Sequence, residues 1–188
     1  MKPINILAIS GSLRAASSNT TLLSALERMM PAGVQFQYSI SLELIPAFNP
    51  DKDPIDGPAI PSVAAFREQI AMADGVLICT PEYAFGVPGA LKNALDWTVS
   101  SGSLNEKPLI AVSASPLPTG GRNALASLLL TLKALGSLTD EQASLSISSV
   151  NKIFSEDGNV KEEKVQEQLA RLLDHFFQTI AAKAVQPE

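Results

Sequence analysis

The chain has 188 residues, a formal net charge of −5, 46% hydrophobic and 18% charged residues. That length fits one domain able to bury roughly 70% of its unfolded surface, so a core forms without disulfide or metal staples and disorder is excluded. A single histidine, His175, and a single cysteine, Cys79, exclude an intrachain disulfide and the usual zinc sites, while the acidic balance excludes general attraction to nucleic acid or anionic lipid.

Lys2 is followed by only the short apolar stretch Ile4 to Ile9, below the length of a signal-peptide core or a membrane span, and a cytoplasmic protein is expected. The same stretch, ending in Ser10-Gly11-Ser12, reads as a strand buried on both faces. Leu22, Leu23, Leu26, Met29 and Met30 mark one face of a helix that stops at Pro31-Ala32-Gly33. Val34, Phe36, Tyr38 and Ile40 alternate with polar residues, the pattern of a strand with one wet face near a sheet edge. Pro46, Pro50, Pro54, Pro58 and Pro61, with Asp51, Asp53, Asp56 and Gly57 between them, predict an irregular crossover loop. Helical spacing resumes at Val63, Phe66, Ile70 and Ala73, and Gly75 to Thr80 reads as a third, buried strand. The next helix starts at Pro88, whose missing N–H has no intrahelical partner in a first turn, and carries Leu91, Leu95 and Thr98 on one side. Leu109 to Val112 is a fourth strand, and Leu125, Leu128, Leu129, Leu132 and Leu135 give a helix closed by Gly136. Ala143, Leu145 and Ile147 suggest a second edge strand. Asn159 with Glu162 predicts a reciprocal cap on a final helix whose buried face is Val165, Leu169, Leu172, Phe176 and Ile180.

Five strands alternating with helices imply an α/β fold with a parallel sheet covered on both faces, because parallel strands need crossovers and those crossovers are right-handed. The polar edges at the second and fifth strands favour the order 2-1-3-4-5. Ligands then bind outside the carboxyl ends of the strands, near the switch point between strands one and three. Residues 1–188 are expected to form one domain.

The segments after strands one, three and four therefore hold the candidate site. Residues 10–20 concentrate hydroxyls, an amide, the Arg14 guanidinium and a helix start, but neither the glycines of a dinucleotide fingerprint nor a P-loop. A terminal phosphate suits such a segment, through charge-assisted bonds and the helix dipole; alternatively Ser17, Ser18 or Asn19 caps the helix and Arg14 is solvated. Thr80 to Trp97 begins as a bend rich in Pro, Gly and aromatics that can offer backbone polar groups beside a flat apolar face, as a heteroaromatic ring requires. It reads equally as a turn plus a helix, with Trp97 packed against a neighbour. Glu82 is a general acid or, as a lone carboxylate at a strand end, a hydrogen-bonding or surface group. In Ser113 to Arg122, Gly120 and Gly121 either admit a ligand close to the backbone or relieve a tight turn.

Gly11-Ser12-Leu13-Arg14 with Ser17 and Asn19, then Pro81-Glu82-Tyr83, then Pro88 through Trp97, together resemble the NAD(P)H-dependent FMN reductases, flavodoxin-like proteins that include quinone, azo-dye and chromate reductases. The resemblance runs from the first strand through the Gly120-Gly121 turn to the last helix. It implies a flavodoxin-like three-layer sandwich and an FMN whose phosphate is contacted by Ser12, Arg14, Ser17 and Asn19. Pro81, Glu82, Tyr83, Ala84 and Phe85 would meet the isoalloxazine, with Ser115, Gly120 and Gly121 on the other side of the ring. Family members commonly carry Asn where this chain has Ala84, so only backbone contact remains there, and Pro116 and Pro118 stiffen the third segment.

The implied function is an FMN-dependent oxidoreductase that takes a hydride from NADPH or NADH and passes electrons to a small acceptor: a quinone, an azo compound, a metal anion or a flavin. The cofactor carries the chemistry, so no catalytic side chain is assigned. N–H donors near the pyrimidine edge, helped by the helix beginning at Gly121, would stabilise charge on the reduced ring. A flavodoxin-type electron carrier without NAD(P)H activity and a non-catalytic ligand-binding protein on the same fold are the alternatives. The resemblance also implies homodimers or homotetramers with flavin sites near subunit boundaries, for which the helix carrying Leu91, Leu95 and Trp97 is an interface element or ordinary core. No metal, nucleic acid or membrane partner is expected, and Cys79 and His175 are placed in a buried strand and on the final helix, away from the site.

Overall fold

The computed structural model describes residues 3–14, 16–54, 60–155 and 157–185. Strands β1 (Ile4–Ser10), β2 (Val34–Tyr38), β3 (Gly75–Thr80), β4 (Leu109–Ala114) and β5 (Ser144–Ile147) form one sheet in the order β2-β1-β3-β4-β5. Every pairing is parallel. The expected α/β architecture and strand order are both present. Burial follows from that order: β3 and β4 are buried at every position, whereas β2, at one edge, alternates between half-buried and exposed. Strand β2 stops at Tyr38, short of Ile40.

Because side chains alternate across a strand, the sheet divides its apolar residues between two cores. Ile6, Ala8, Leu77, Cys79, Ile110 and Val112 face helices α1 (Ser18–Met29) and α5 (Glu163–Val185). Leu7, Ile9, Val76, Ile78, Leu109 and Ala111 face α2 (Pro61–Met72), α3 (Gly89–Asp96) and α4 (Arg122–Ala134). Each fully buried Leu or Ile contributes about 1.5–3 kcal/mol. Leu91, Leu95 and Trp97 are among these core residues. Among the described residues no helix is long and apolar enough to cross a membrane.

Two sequence expectations need correction. Asn159 and Glu162 do not cap the last helix reciprocally. Asn159 Oδ1 accepts from Arg28 Nε at 2.8 Å, and Glu162 serves through its backbone carbonyl, which accepts from Val165 and Gln166 N–H. The proline-rich crossover is also not wholly irregular, since it contains the 3₁₀ turn Pro50–Lys52; its Asp56, Gly57 and Pro58 lie outside the described residues.

The crossover is fixed to α3 by side chains from three elements. Trp97 Nε1 and Asn93 Nδ2 both donate to Pro46 O at 2.9 Å, Phe48 N–H donates to Asn93 Oδ1 at 2.7 Å, and Phe48 meets the Trp97 ring edge-on at 5.1 Å between centroids. Arg67 of α2 donates through Nε to Trp97 O at 2.7 Å and through Nη2 to Asp53 Oδ2 at 2.7 Å and Ser100 Oγ at 2.9 Å. Ser100 Oγ in turn donates to Asp53 Oδ2. This polar junction holds the loop, α2 and the end of α3 together.

Candidate functional site

Parallel strands end on one side of the sheet, so the turns after β1, β3 and β4 meet there as the topology requires. They enclose a cleft of about 400 Å³ lined by Ser12, Arg14, Ser17 and Asn19 from the first turn, Pro81, Glu82 and Tyr83 from the second, and Ser115 with Pro116 and Leu117 from the third. That size lies within the range of small-molecule sites.

The first turn is drawn tightly across the sheet. Gly11 N–H donates to Cys79 O at 2.7 Å, and a Cβ on Gly11 would stand 2.9 Å from Leu91 and 3.3 Å from that carbonyl, so only glycine passes here. Ser12 Oγ accepts from Arg14 N–H at 3.3 Å. Ser17 is the N-cap of α1, its Oγ accepting from Asn19 N–H at 3.2 Å, while the other N–H groups of the first turn have no intrahelical partner. Ser17 therefore caps the helix, and the helix start still lines the cleft. Arg14 is exposed and pairs with no carboxylate among the described residues. Asn19 is only 3% exposed; its Nδ2 reaches Ala114 O at 3.5 Å, and its Oδ1 has no partner among the described residues. A buried amide oxygen without a donor costs about 1–3 kcal/mol.

The second turn is a two-residue hairpin. Tyr83 and Gly86 exchange both backbone bonds, at 3.1 and 2.9 Å, around Ala84 (φ +49°) and Phe85 (φ +61°). Two successive positive φ values define a type I′ turn, in which Asn and Gly are the favoured residues. The hairpin presents Tyr83, half exposed, at the cleft and leaves Phe85, 76% exposed, beyond the lining with Ala84. Because a left-handed alanine costs about 1–2 kcal/mol and Asn less, Ala84→Asn is expected to stabilise the protein by up to about 1 kcal/mol, read as a raised urea midpoint at unchanged slope.

Glu82 Oε2 accepts from Ala124 N–H at 3.0 Å, so its carboxylate occupies the first turn of α4 and is a hydrogen-bonding group. The expectation that this helix start offers its N–H groups to a reduced ring therefore fails at Ala124. The same bond ties the second turn to the third. Gly120 and Gly121 do not line the cleft. A Cβ on Gly120 would meet Ser146 Oγ at 2.6 Å and the backbone of Ile147 at 3.0 Å, and Gly120 O accepts from Ser113 Oγ at 2.8 Å and Ser146 Oγ at 3.0 Å. The crowding that demands glycine comes from the sheet itself. Glu82→Ala should lower the thermal midpoint by the loss of about 1 kcal/mol, as for other helix-capping acceptors, whereas Glu82→Gln, which keeps an acceptor, should restore most of it.

Cys79 is fully buried and its thiol is pushed well up by desolvation, so it stays protonated and inert. His175 sits on α5 with Nε2 3.3 Å from Asp140, outside the cleft lining. Ala16, Ser18, Ala114, Pro116 and Leu117 line the cleft from within the three segments without having been assigned a contact, and Asn151, from the connection after β5, lines it from outside them.

For the expected flavin mononucleotide the donor set fits: a guanidinium unpaired among the described residues and the free N–H groups of a helix start for a phosphate, a buried acceptor for a hydroxyl, and Pro81 and Tyr83 as a flat wall for a ring.

Comparison with known proteins agrees. Residues 4–152 match the family model described as NADPH-dependent FMN reductase. An NAD(P)H-dependent FMN reductase of Pseudomonas aeruginosa is 33% identical over 90% of this chain and 91% of its own. An NADPH:quinone oxidoreductase of Arabidopsis thaliana is 33% identical over 92% and 90%. Among solved structures, the flavoenzyme NAD(P)H:(acceptor) oxidoreductase FerB of Paracoccus denitrificans superposes with a TM-score of 0.85 at 28% identity, covering 95% of this chain and 98% of that one.

Proposed function

The chain belongs to the NADPH-dependent FMN reductase family and is an NAD(P)H-dependent FMN oxidoreductase; from that premise we propose where FMN sits and what accepts its electrons. The phosphate lies at the start of α1, held by Arg14, the Ser12 and Ser17 hydroxyls and the free N–H groups of the first turn. Asn19 Oδ1 accepts from the ribityl chain. The ring lies between the Pro81–Tyr83 segment and Ser115. The observation that carries this placement is a buried Asn19 Oδ1 and an exposed Arg14 on the same cleft, neither with a partner among the described residues.

Bound FMN supplies the redox chemistry, so that NAD(P)H, a proton and a quinone give NAD(P)⁺ and a hydroquinone. A quinone is proposed because relatives in Arabidopsis thaliana and Escherichia coli carry quinone reductase names. The chain's own residues bind and orient. Pro81 and Tyr83 supply an apolar face against which the ring is held and water excluded. Glu82 positions the two ring-side segments relative to each other. Ala84 and Phe85 act through the hairpin that presents Tyr83, and Gly120 and Gly121 through the seating of α4 on the sheet.

The test is the absorption spectrum of the purified protein followed by anaerobic titration with NADPH and NADH. A yellow protein bleached within mixing time and re-oxidised by benzoquinone supports the reading. A yellow protein that no pyridine nucleotide bleaches is an electron carrier instead, and one that stays colourless with added FMN refutes the placement. A homodimer or homotetramer is proposed as well, since Leu13, Tyr83, Phe85 and Leu117 remain exposed on the cleft turns; mass in solution by light scattering decides it.

A further inference from the structure

The cleft has a wall that none of the three sequence segments supplies. Ser149, just after β5, stands in the left-handed region at φ +51°, a conformation that a non-glycine residue keeps only where its surroundings hold it. The β4–α4 segment does the holding: Val150 N–H donates to Ser115 O at 3.1 Å and Ser149 N–H to Leu117 O at 3.4 Å. Val150 is buried in the core beneath. The 3₁₀ turn Val150–Lys152 then delivers Asn151 to the cleft, where Ser18 Oγ donates to Asn151 Oδ1 at 3.2 Å. That bond spans from the first turn of α1 to the connection after β5 and anchors the amide there. Its oxygen is committed to Ser18, and its nitrogen bonds to nothing among the described residues, leaving two N–H donors at the rim of the cleft.

We propose that Asn151 is a specificity-determining residue that donates to the terminal phosphate of a flavin mononucleotide and, with Ser18, closes that end of the cleft against a flavin dinucleotide. The proposal rests on the phosphate lying at the start of α1. A phosphate monoester presents three oxygens, and Arg14 is the one cation lining the cleft among the described residues, so neutral donors have to meet the oxygens it does not reach. A dinucleotide must continue beyond that phosphorus, and the Ser18–Asn151 bridge lies at the same end of the cleft as the start of α1.

Flavin-free protein is titrated with FMN, riboflavin and FAD, reading flavin fluorescence, for the wild type, Asn151→Ala, Asn151→Asp and Arg14→Ala. Asn151→Ala is expected to weaken FMN by about tenfold, to leave riboflavin within about twofold and to narrow the preference for FMN over FAD. Asn151→Asp, which sets a carboxylate beside the phosphate, should weaken FMN further with riboflavin again unmoved. Wild-type FMN affinity in both variants, or equal losses for FMN and riboflavin, overturns the proposal; the phosphate placement still stands if Arg14→Ala weakens FMN in the same series. A wild type that takes up no FMN, or an Arg14→Ala protein that binds it unchanged, removes the placement and this inference with it.

Discussion

Arg14→Ala is expected to weaken FMN binding by about 10- to 100-fold, the range for truncating a charge-assisted contact, while riboflavin, which lacks the phosphate, binds as before. Arg14 is exposed and engages no carboxylate among the described residues. The fold therefore loses nothing with it, and the thermal midpoint of the flavin-free variant should match the wild type. Screening gives an independent reading. Raising salt shortens the Debye length to about 3 Å at 1 M, so wild-type FMN affinity should fall with ionic strength and the variant's should fall less. Arg14→Lys should recover part of the affinity, because a point charge remains but the planar fork is lost. Equal FMN dissociation constants for wild type and Arg14→Ala by fluorescence titration would place the phosphate elsewhere in the cleft.

The sites where sequence reading succeeded are those with a local cause. Gly75 to Thr80 is a continuous small and apolar run, and it forms a strand buried at every position. Val34, Phe36 and Tyr38 alternate with glutamines, and they form an edge strand. Strand order then places the turns after β1, β3 and β4 at one end, which is why most of the cleft lining was legible. What escaped depends on partners distant in sequence. Asn159 has the spacing of a capping residue, but Arg28 of α1 captures its side chain. The type I′ turn at Ala84-Phe85 carries none of the Asn-Gly signal such turns favour. Its shape comes from the bonds between Tyr83 and Gly86 and from the ends of β3 and α3 that flank it. Asn151 lies in a short connection with no periodicity, and the signal available was topological: β5 adjoins β4 in parallel, so the turn after it must reach the same end of the sheet. Gly120 shows the reverse ambiguity, since a glycine at a strand end reads alike whether a ligand or the sheet crowds it, and only the 2.6 Å approach of Ser146 decides.

Arg67→Met is expected to lower stability at pH 7 by about 2–3 kcal/mol, the scale for removing one member of a largely buried, hydrogen-bonded ion pair. The side chains of Arg67 and Asp53 are only 20% and 11% exposed, so methionine fills the volume but leaves the Asp53 carboxylate without its cation and the Trp97 carbonyl without its donor. The pH dependence identifies the cause. Bonds from Arg67 and then Ser100 hold the Asp53 carboxyl below its ordinary value of 3.8. A group whose folded pKa is depressed contributes stability that is fully present above the unfolded pKa and disappears as pH falls through the folded one. The gap between wild type and Arg67→Met should therefore be widest at neutral pH and narrow from about pH 4 downward, measured as urea midpoints at pH 7, 4 and 3. A gap that stays constant would assign the whole effect to the Trp97 carbonyl and none to the ion pair. Function should be moved less than stability: the junction sits at the carboxyl end of α3, about 12 Å along the helix from the Tyr83 hairpin that precedes its start. Thus FMN affinity at pH 7 should change by less than the loss in folding free energy, since the turns after β1 and β4 are held by the sheet and not by the crossover loop.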